Sequence, residues 1–271
     1  MNALERKMLD VLKDLKENHH VVGIKAEFEA EGTRLEEALR LKEVCMKSDL
    51  GLTIKIGGCE AVRDLYECRV IGVERIVAPM VESAWALEKF LAAALKTFSP
   101  EELEDLKLAV NIETMNACRA FDEMLCLEKI GLLNGIVMGR VDLTGSLKMT
   151  REDINSPEVF NITKELFLKA KSKGLETALG GGVSAHALSF FRDLPPGSLN
   201  RYETRKVVFS CPGALSEDAG NGILKAVGFE VLWLKNKENY YSSIAFEDKQ
   251  RVDMLESRYK QSILKVGGKT D

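Results

Sequence analysis

Histidine is nearly missing from this chain. Three occur in 271 residues, and two of them, His19 and His20, fall before the first strand-like segment. A zinc centre built from histidine and cysteine therefore lacks ligands. Cysteine is sparse too: Cys45, Cys59, Cys68, Cys118, Cys126 and Cys211 form no C-x-x-C pair and sit mostly in helical or strand-like patterns. They read as buried, reduced thiols. No apolar run is long enough to span a bilayer, and the opening Met1-Asn2-Ala3-Leu4-Glu5-Arg6-Lys7 is too charged for the core of a signal peptide. A cytoplasmic protein with no membrane partner is expected. A Lys/Arg block or basic stripe with aromatics is also absent, and 38 basic against 42 acidic residues leave a formal charge of -4. Nucleic acid is not an expected partner.

What the chain does have is regular alternation. After an amphipathic opening helix (Leu4, Met8, Val11, Leu12, Leu15), short runs rich in Val, Ile and Leu alternate with helical patterns. The strands are expected at Val21–Glu27, Leu52–Ile56, Arg75–Met80, Leu108–Ile112, Gly135–Met138, Leu175–Leu179, Lys206–Ser210 and Glu230–Leu234. The helices between them are expected at Thr33–Lys47, Glu60–Arg69, Ser83–Leu95, Asn116–Lys129, Pro157–Lys173, Ser184–Asp193 and Ala214–Val227, with a last one from about Ser243 to Leu264. Thr33 with Glu36 forms a capping-box pattern, and Gly131, Gly174 and Gly228 stand where helices should stop. Eight such units predict an α/β fold, a closed (β/α)8 TIM barrel, because a doubly wound sheet offers no reason for this regularity. No linker divides the chain. The expectation is one domain over 1–271: the N-terminal helix at 1–19, barrel and C-terminal helix at 20–265, and a frayed tail at 266–271.

In such a barrel the active site lies at the C-terminal strand ends. Two apolar runs end there in acids: Leu108-Ala109-Val110-Asn111-Ile112-Glu113 and Gly135-Ile136-Val137-Met138-Gly139-Arg140-Val141-Asp142. Side by side, Glu113 and Asp142 come within reach of one divalent cation, which a hard ion such as magnesium suits. Lys25, Glu27 and Lys55 interrupt apolar strands, which is costly unless they are paired or at work. For Lys25 and Glu27 a structural ion pair stands beside a functional role. Lys55, followed by Gly57-Gly58, favours a ligand. Pro79, Gly139 and Gly181 are candidate substrate contacts. The Gly180-Gly181-Gly182 turn is either a simple tight turn or a set of amides for a carboxylate or phosphate. Ser210-Cys211-Pro212 is expected at the same rim, and His186 is given no role.

These segments resemble the HpcH/HpaI aldolase and citrate lyase beta-subunit family of the phosphoenolpyruvate/pyruvate-binding barrels. The resemblance is carried by Ile112-Glu113-Thr114, by Gly139-Arg140-Val141-Asp142-Leu143-Thr144-Gly145-Ser146-Leu147, and by Pro79-Met80-Val81-Glu82. It implies Mg2+ or Mn2+ held by Glu113 and Asp142, and a pyruvate-like 2-oxo acid whose carbonyl the metal polarises. It also implies a homo-oligomer, a trimer or hexamer. The chain departs from the family where Lys55 replaces a strand-two arginine, Phe28 replaces a histidine, Lys25 replaces an acid, and Arg140 stands where small residues are usual. Lys55 or Arg140 is expected to stabilise the enolate oxygen or anchor a carboxylate, with Glu27 behind them. The leading expectation is a metal-dependent carbon–carbon lyase or aldolase on a 2-oxo acid. The alternatives are an acyl-CoA lyase and a barrel that has lost catalysis and serves as a scaffold.

Overall fold

The computed structural model describes residues 1–267 and 269; of the expected frayed tail, 268, 270 and 271 lie outside the described residues. Eight strands close a barrel in sequential order: β1 Val21–Glu27, β2 Gly51–Lys55, β3 Arg75–Ala78, β4 Lys107–Asn111, β5 Gly135–Gly139, β6 Glu176–Gly180, β7 Arg201–Glu203 and β8 Val207–Ser210. The helices are α1 Ala3–His19, α2 Leu35–Ser48, α3 Val62–Ile71, α4 Ala84–Thr97, α5 Pro100–Asp105, α6 Met115–Met124, α7 Arg140–Ser146, α8 Pro157–Ser172, α9 Leu188–Asp193 and α10 Ala219–Lys265. The closed eight-stranded α/β barrel is as expected.

Strand parity decides what reaches the interior. Ile24, Ala26, Leu52, Ile54, Ile76, Val110, Ile136, Met138 and Leu179 are buried in the main apolar core. The alternate residues Val77, Ala109 and Val137 pack with Ala178 as a separate small cluster. One step nearer the C-terminal ends, the same parity presents Lys25, Glu27, Lys55, Asn111, Gly139 and Gly180 to a cavity. The apolar plug supports that cavity from below.

The last quarter of the chain departs from the expected pattern. The run read as strand seven is β8, and it pairs antiparallel with both β7 and β1. Only Thr204-Arg205-Lys206 separates β7 from β8. A parallel return needs a crossover of about a dozen residues, so three residues permit only a hairpin. Thr204 closes it, its N–H donating to the Val207 carbonyl (3.0 Å) and its hydroxyl accepting from the Val207 N–H (3.1 Å). Two corrections follow. The Ser210 N–H donates to the carbonyl of His20, just before β1, so Ser210-Cys211-Pro212 lies at the barrel's opposite end, away from the cavity. Glu230–Leu234 is not a strand but part of α10, which also absorbs the two helices expected on either side. Within it Phe229 and Trp233, four apart, are buried, whereas Val231 and Leu234 are exposed, which is helical spacing.

The opening helix buries Met8, Leu12 and Leu15, as its stripe predicts, and runs against α10. The capping box on α2 is one residue later than expected: Arg34 is the N-cap, and its N–H donates to Glu37 (3.2 Å). At 47 residues α10 is roughly 70 Å long, far longer than the barrel is deep. Ile244, Phe246, Val252, Leu255 and Tyr259 on its outer half are all exposed. No helix among the described residues is long and apolar enough to cross a membrane.

Candidate active site

The cavity at the C-terminal ends of the strands has a volume of about 420 Å³. Six carboxylates line it (Glu27, Glu29, Glu113, Asp142, Glu203, Glu230), against four cations (Lys25, Lys55, Arg151, Arg205). The excess of acid makes it a place for added positive charge.

One wall is fully ion-paired. Lys25 Nζ lies 2.6 Å from Glu203 Oε1 and 3.2 Å from Glu27 Oε1. Lys55 Nζ lies 2.8 Å from Glu29 Oε2 and 3.9 Å from Glu27 Oε1. Burial works against each of these charges. Even so, the carboxylates hold Lys25 and Lys55 above the ordinary lysine range, and the two ammonium groups hold Glu27 below the ordinary glutamate range. Both lysines are therefore protonated cations and poor nucleophiles. The expected Lys25–Glu27 pair is present, and Glu203 is its third member.

The other wall carries Glu113, which is 1% exposed and follows β4. Its Oε1 accepts from the Met80 N–H (3.1 Å) and its Oε2 from Asn111 Nδ2 (2.7 Å). Met80 delivers that N–H from a left-handed conformation (φ 50°), which costs a non-glycine residue about 1–3 kcal/mol and is repaid at this contact. Gly139 makes the carboxylate's space: a Cβ there would come within 2.3 Å of Glu113 Oε2. Asp142 enters from the first turn of α7. Despite its hydrogen bonds and nearby Lys55, Glu113 titrates above the usual carboxylate range, because it is buried and Asp142 repels its charge.

This wall fits a hard divalent ion. The donors are all oxygen, and no group of three or more His, Cys, Asp or Glu side chains arranged to hold a metal occurs among the described residues. Two carboxylates with water and substrate completing the shell is the usual arrangement for magnesium. A second observation agrees. Asn111 Oδ1 is buried beside Glu113 and has no hydrogen-bond partner. A buried amide oxygen left unpaired is costly, and it is a suitable ligand atom for such an ion.

Two expected site residues do not reach the cavity. Arg140 is fully buried, but it follows inward-facing Gly139 and so turns outward into the helical layer. There its guanidinium donates to the carbonyls of Gly181 (2.8 Å) and Gly180 (3.4 Å) and to Asn155 Oδ1 (2.6 Å), and lies over the rings of Phe190 (5.1 Å) and Phe191 (5.0 Å). With no carboxylate beside it, burial pulls its pKa down to about 10. It holds the glycine turn from behind and is not placed to touch substrate. Pro79 is buried at the end of β3 outside the cavity lining; its carbonyl faces Cys59 Sγ (3.7 Å). Gly181 does line the cavity. Sequence reading passed over Asn111, Glu203, Glu29, Arg151 and Arg205. Parity alone marks Asn111, the last residue of β4, which stands two residues before Glu113. Glu203 was concealed by a strand of only three residues.

Residues 59–185 match the sequence family described as HpcH/HpaI aldolase/citrate lyase. The chain resembles that family, as its motifs indicated. The match supports an activity of lyase or aldolase type, in a family that is generally metal-dependent. It takes in Glu113, Gly139, Asp142 and Gly181 and leaves out Lys25, Glu27, Lys55 and Glu203. No curated protein matches the chain in sequence. Solved structures share the fold. An HpcH/HpaI aldolase from Desulfitobacterium hafniense DCB-2 is 14% identical, with 81% of this chain and 88% of that one covered at a TM-score of 0.59. The citrate synthase SbnG is 15% identical, with 86% and 90% covered at 0.60. An HpcH/HpaI aldolase/citrate lyase family protein from Burkholderia cenocepacia J2315 is 11% identical, with 90% and 99% covered at 0.58.

Proposed function

We propose that the protein is a metal-dependent carbon–carbon lyase or aldolase acting on a 2-oxo acid, with pyruvate or its enolate as one half. The observation that carries this reading is Glu113: a buried carboxylate held by two donors, facing Asp142, with no ammonium or guanidinium group in ion-pair contact among the described residues. When bound between Glu113 and Asp142, Mg2+ or Mn2+ supplies Lewis-acid polarisation of the 2-oxo carbonyl. Lys55, kept protonated by Glu29 and Glu27, donates from Nζ to the oxygen on which negative charge develops as the carbon–carbon bond breaks. Asn111 Nδ2 and the Met80 N–H keep the Glu113 oxygens turned to the cavity. Glu27 acts through the lysines, holding both in place.

The test is release of pyruvate from a 4-hydroxy-2-oxo acid. Turnover with Mg2+ or Mn2+, lost with a chelator and in Asp142→Ala, is the expected result; no turnover with either metal on any such substrate overturns the reading. We further propose a cytoplasmic homo-oligomer, trimeric or hexameric. The exposed apolar residues of α10 and the six free cysteines support it, and a monomer by light scattering would contradict the assembly.

A further inference from the structure

The geometry points to an anion site on the β6 wall of the same cavity, formed by Arg151 and the backbone N–H groups of Gly181, Gly182 and Val183. It takes a carboxylate or phosphate carried by the half of the substrate that is not the 2-oxo acid. Naming that half rests on the lyase reading; the anion site itself does not.

Arg151 has no ion pair and no hydrogen bond among the described residues, whereas Lys25, Lys55 and Arg205, the other cations of the cavity, each lie within 4 Å of a carboxylate. Arg151 is an exposed residue at the cavity's edge, where its guanidinium is open to an anion that enters. Beside it, the N–H groups of residues 181–183 make no backbone hydrogen bond among the described residues, although β6 ends only one residue earlier. Free consecutive amides are an anion-binding device.

The turn is held in that form rather than merely allowed it. Gly181 and Gly182 are both left-handed (φ 76° and 62°). A Cβ on the first would meet the Val141 backbone nitrogen at 2.7 Å, and one on the second would meet Ile154 Cδ1 at 2.4 Å. From behind, Arg140 ties down the carbonyls of Gly180 and Gly181. The clamp also fixes Arg151. Ile154 and Asn155 belong to the 3-10 turn Arg151–Asn155, so one end of that turn packs on Gly182 and bonds to Arg140 while its first residue reaches the cavity. Arg140 thus ties together the two parts of the site without touching the ligand. In a cavity with more carboxylates than cations, an anion stays only where several donors converge.

Calorimetric titration of the metal-free protein with succinate and, separately, with inorganic phosphate tests this. One of the two anions binds the wild type. Arg151→Gln weakens that binding by roughly tenfold or more, the loss of one charge-assisted contact. Lys164→Gln, at an exposed α8 position outside the cavity, leaves it unchanged. Binding of succinate assigns a second carboxylate, and binding of phosphate a phosphorylated partner. The proposal is overturned if neither anion binds or if Arg151→Gln binds as tightly as the wild type. Metal and turnover are absent from the titration, so failure of the lyase reading and failure of this site are separate results.

Discussion

On the β1–β2–β7 side of the cavity each carboxylate meets an ammonium group, whereas on the β4–β5 side Glu113 and Asp142 meet none within ion-pair distance among the described residues. The consequences for titration are opposite: Glu27 is held below its ordinary range and Glu113 above it. A paired wall is electrostatically complete and supplies rigidity with a fixed cation, Lys55. The unpaired wall is destabilised as it stands and gains most from an added cation. It is also the wall inside the stretch that matches the HpcH/HpaI family, while the paired wall lies outside it. The matched stretch thus carries the incomplete wall, and the self-sufficient one is built from residues on either side of it.

Breaking the unpaired wall should have the largest effect. Asp142→Ala is expected to abolish metal binding and lower turnover by about a thousandfold or more, read by metal titration and pyruvate release. Replacing the cation of the paired wall sharpens the contrast: Lys55→Met should cost roughly a hundredfold in kcat with metal affinity retained. Equal loss of metal binding in both variants would erase the distinction between the walls.

The stability predictions are smaller. Glu203→Gln leaves Lys25 with one carboxylate instead of two in a buried network and should cost about 3 kcal/mol in denaturant unfolding. The pH dependence runs the same way. Because Lys25 and Lys55 depress the Glu27 pKa, the stability it contributes is present above its unfolded value of about 4.5 and is lost as pH falls through the lower folded value. Lys55→Met should move that loss to higher pH. Glu113 has the opposite sign, since a raised pKa means that ionised Glu113 destabilises the metal-free fold at neutral pH. Glu113→Gln should therefore raise the melting temperature of the metal-free protein slightly while abolishing metal binding. Its amide can keep the Met80 N–H and, if Asn111 turns over, donate to the orphaned Asn111 Oδ1.

The unpaired wall was legible in the sequence, and the paired one only in part. β4 and β5 are short apolar strands followed within three residues by acids, so Glu113 and Asp142 announce themselves. Lys25, Glu27 and Lys55 stood out as charges inside strands, but Glu203, the second carboxylate on Lys25, belongs to a strand of three residues that no periodicity can reveal. Without β7, the three-residue link to β8 could not be seen as a hairpin. The apolar run Phe229-Glu230-Val231-Leu232-Trp233-Leu234 then filled the vacant eighth position, since a short apolar run fits strand and helix alike. Arg140 misled for a related reason. A charge beside a motif attracts a catalytic role, yet one step of strand parity past Gly139 turns it from the cavity to the rings of Phe190 and Phe191.

The decisive measurement is a titration of Mn2+ into the wild type and Asp142→Ala, followed by calorimetry and by the electron paramagnetic resonance of free Mn2+. A single ion taken up by the wild type and none by the variant is the outcome predicted for two acids sharing one cation at the barrel rim. No uptake by the wild type, or undiminished uptake by Asp142→Ala, would contradict it.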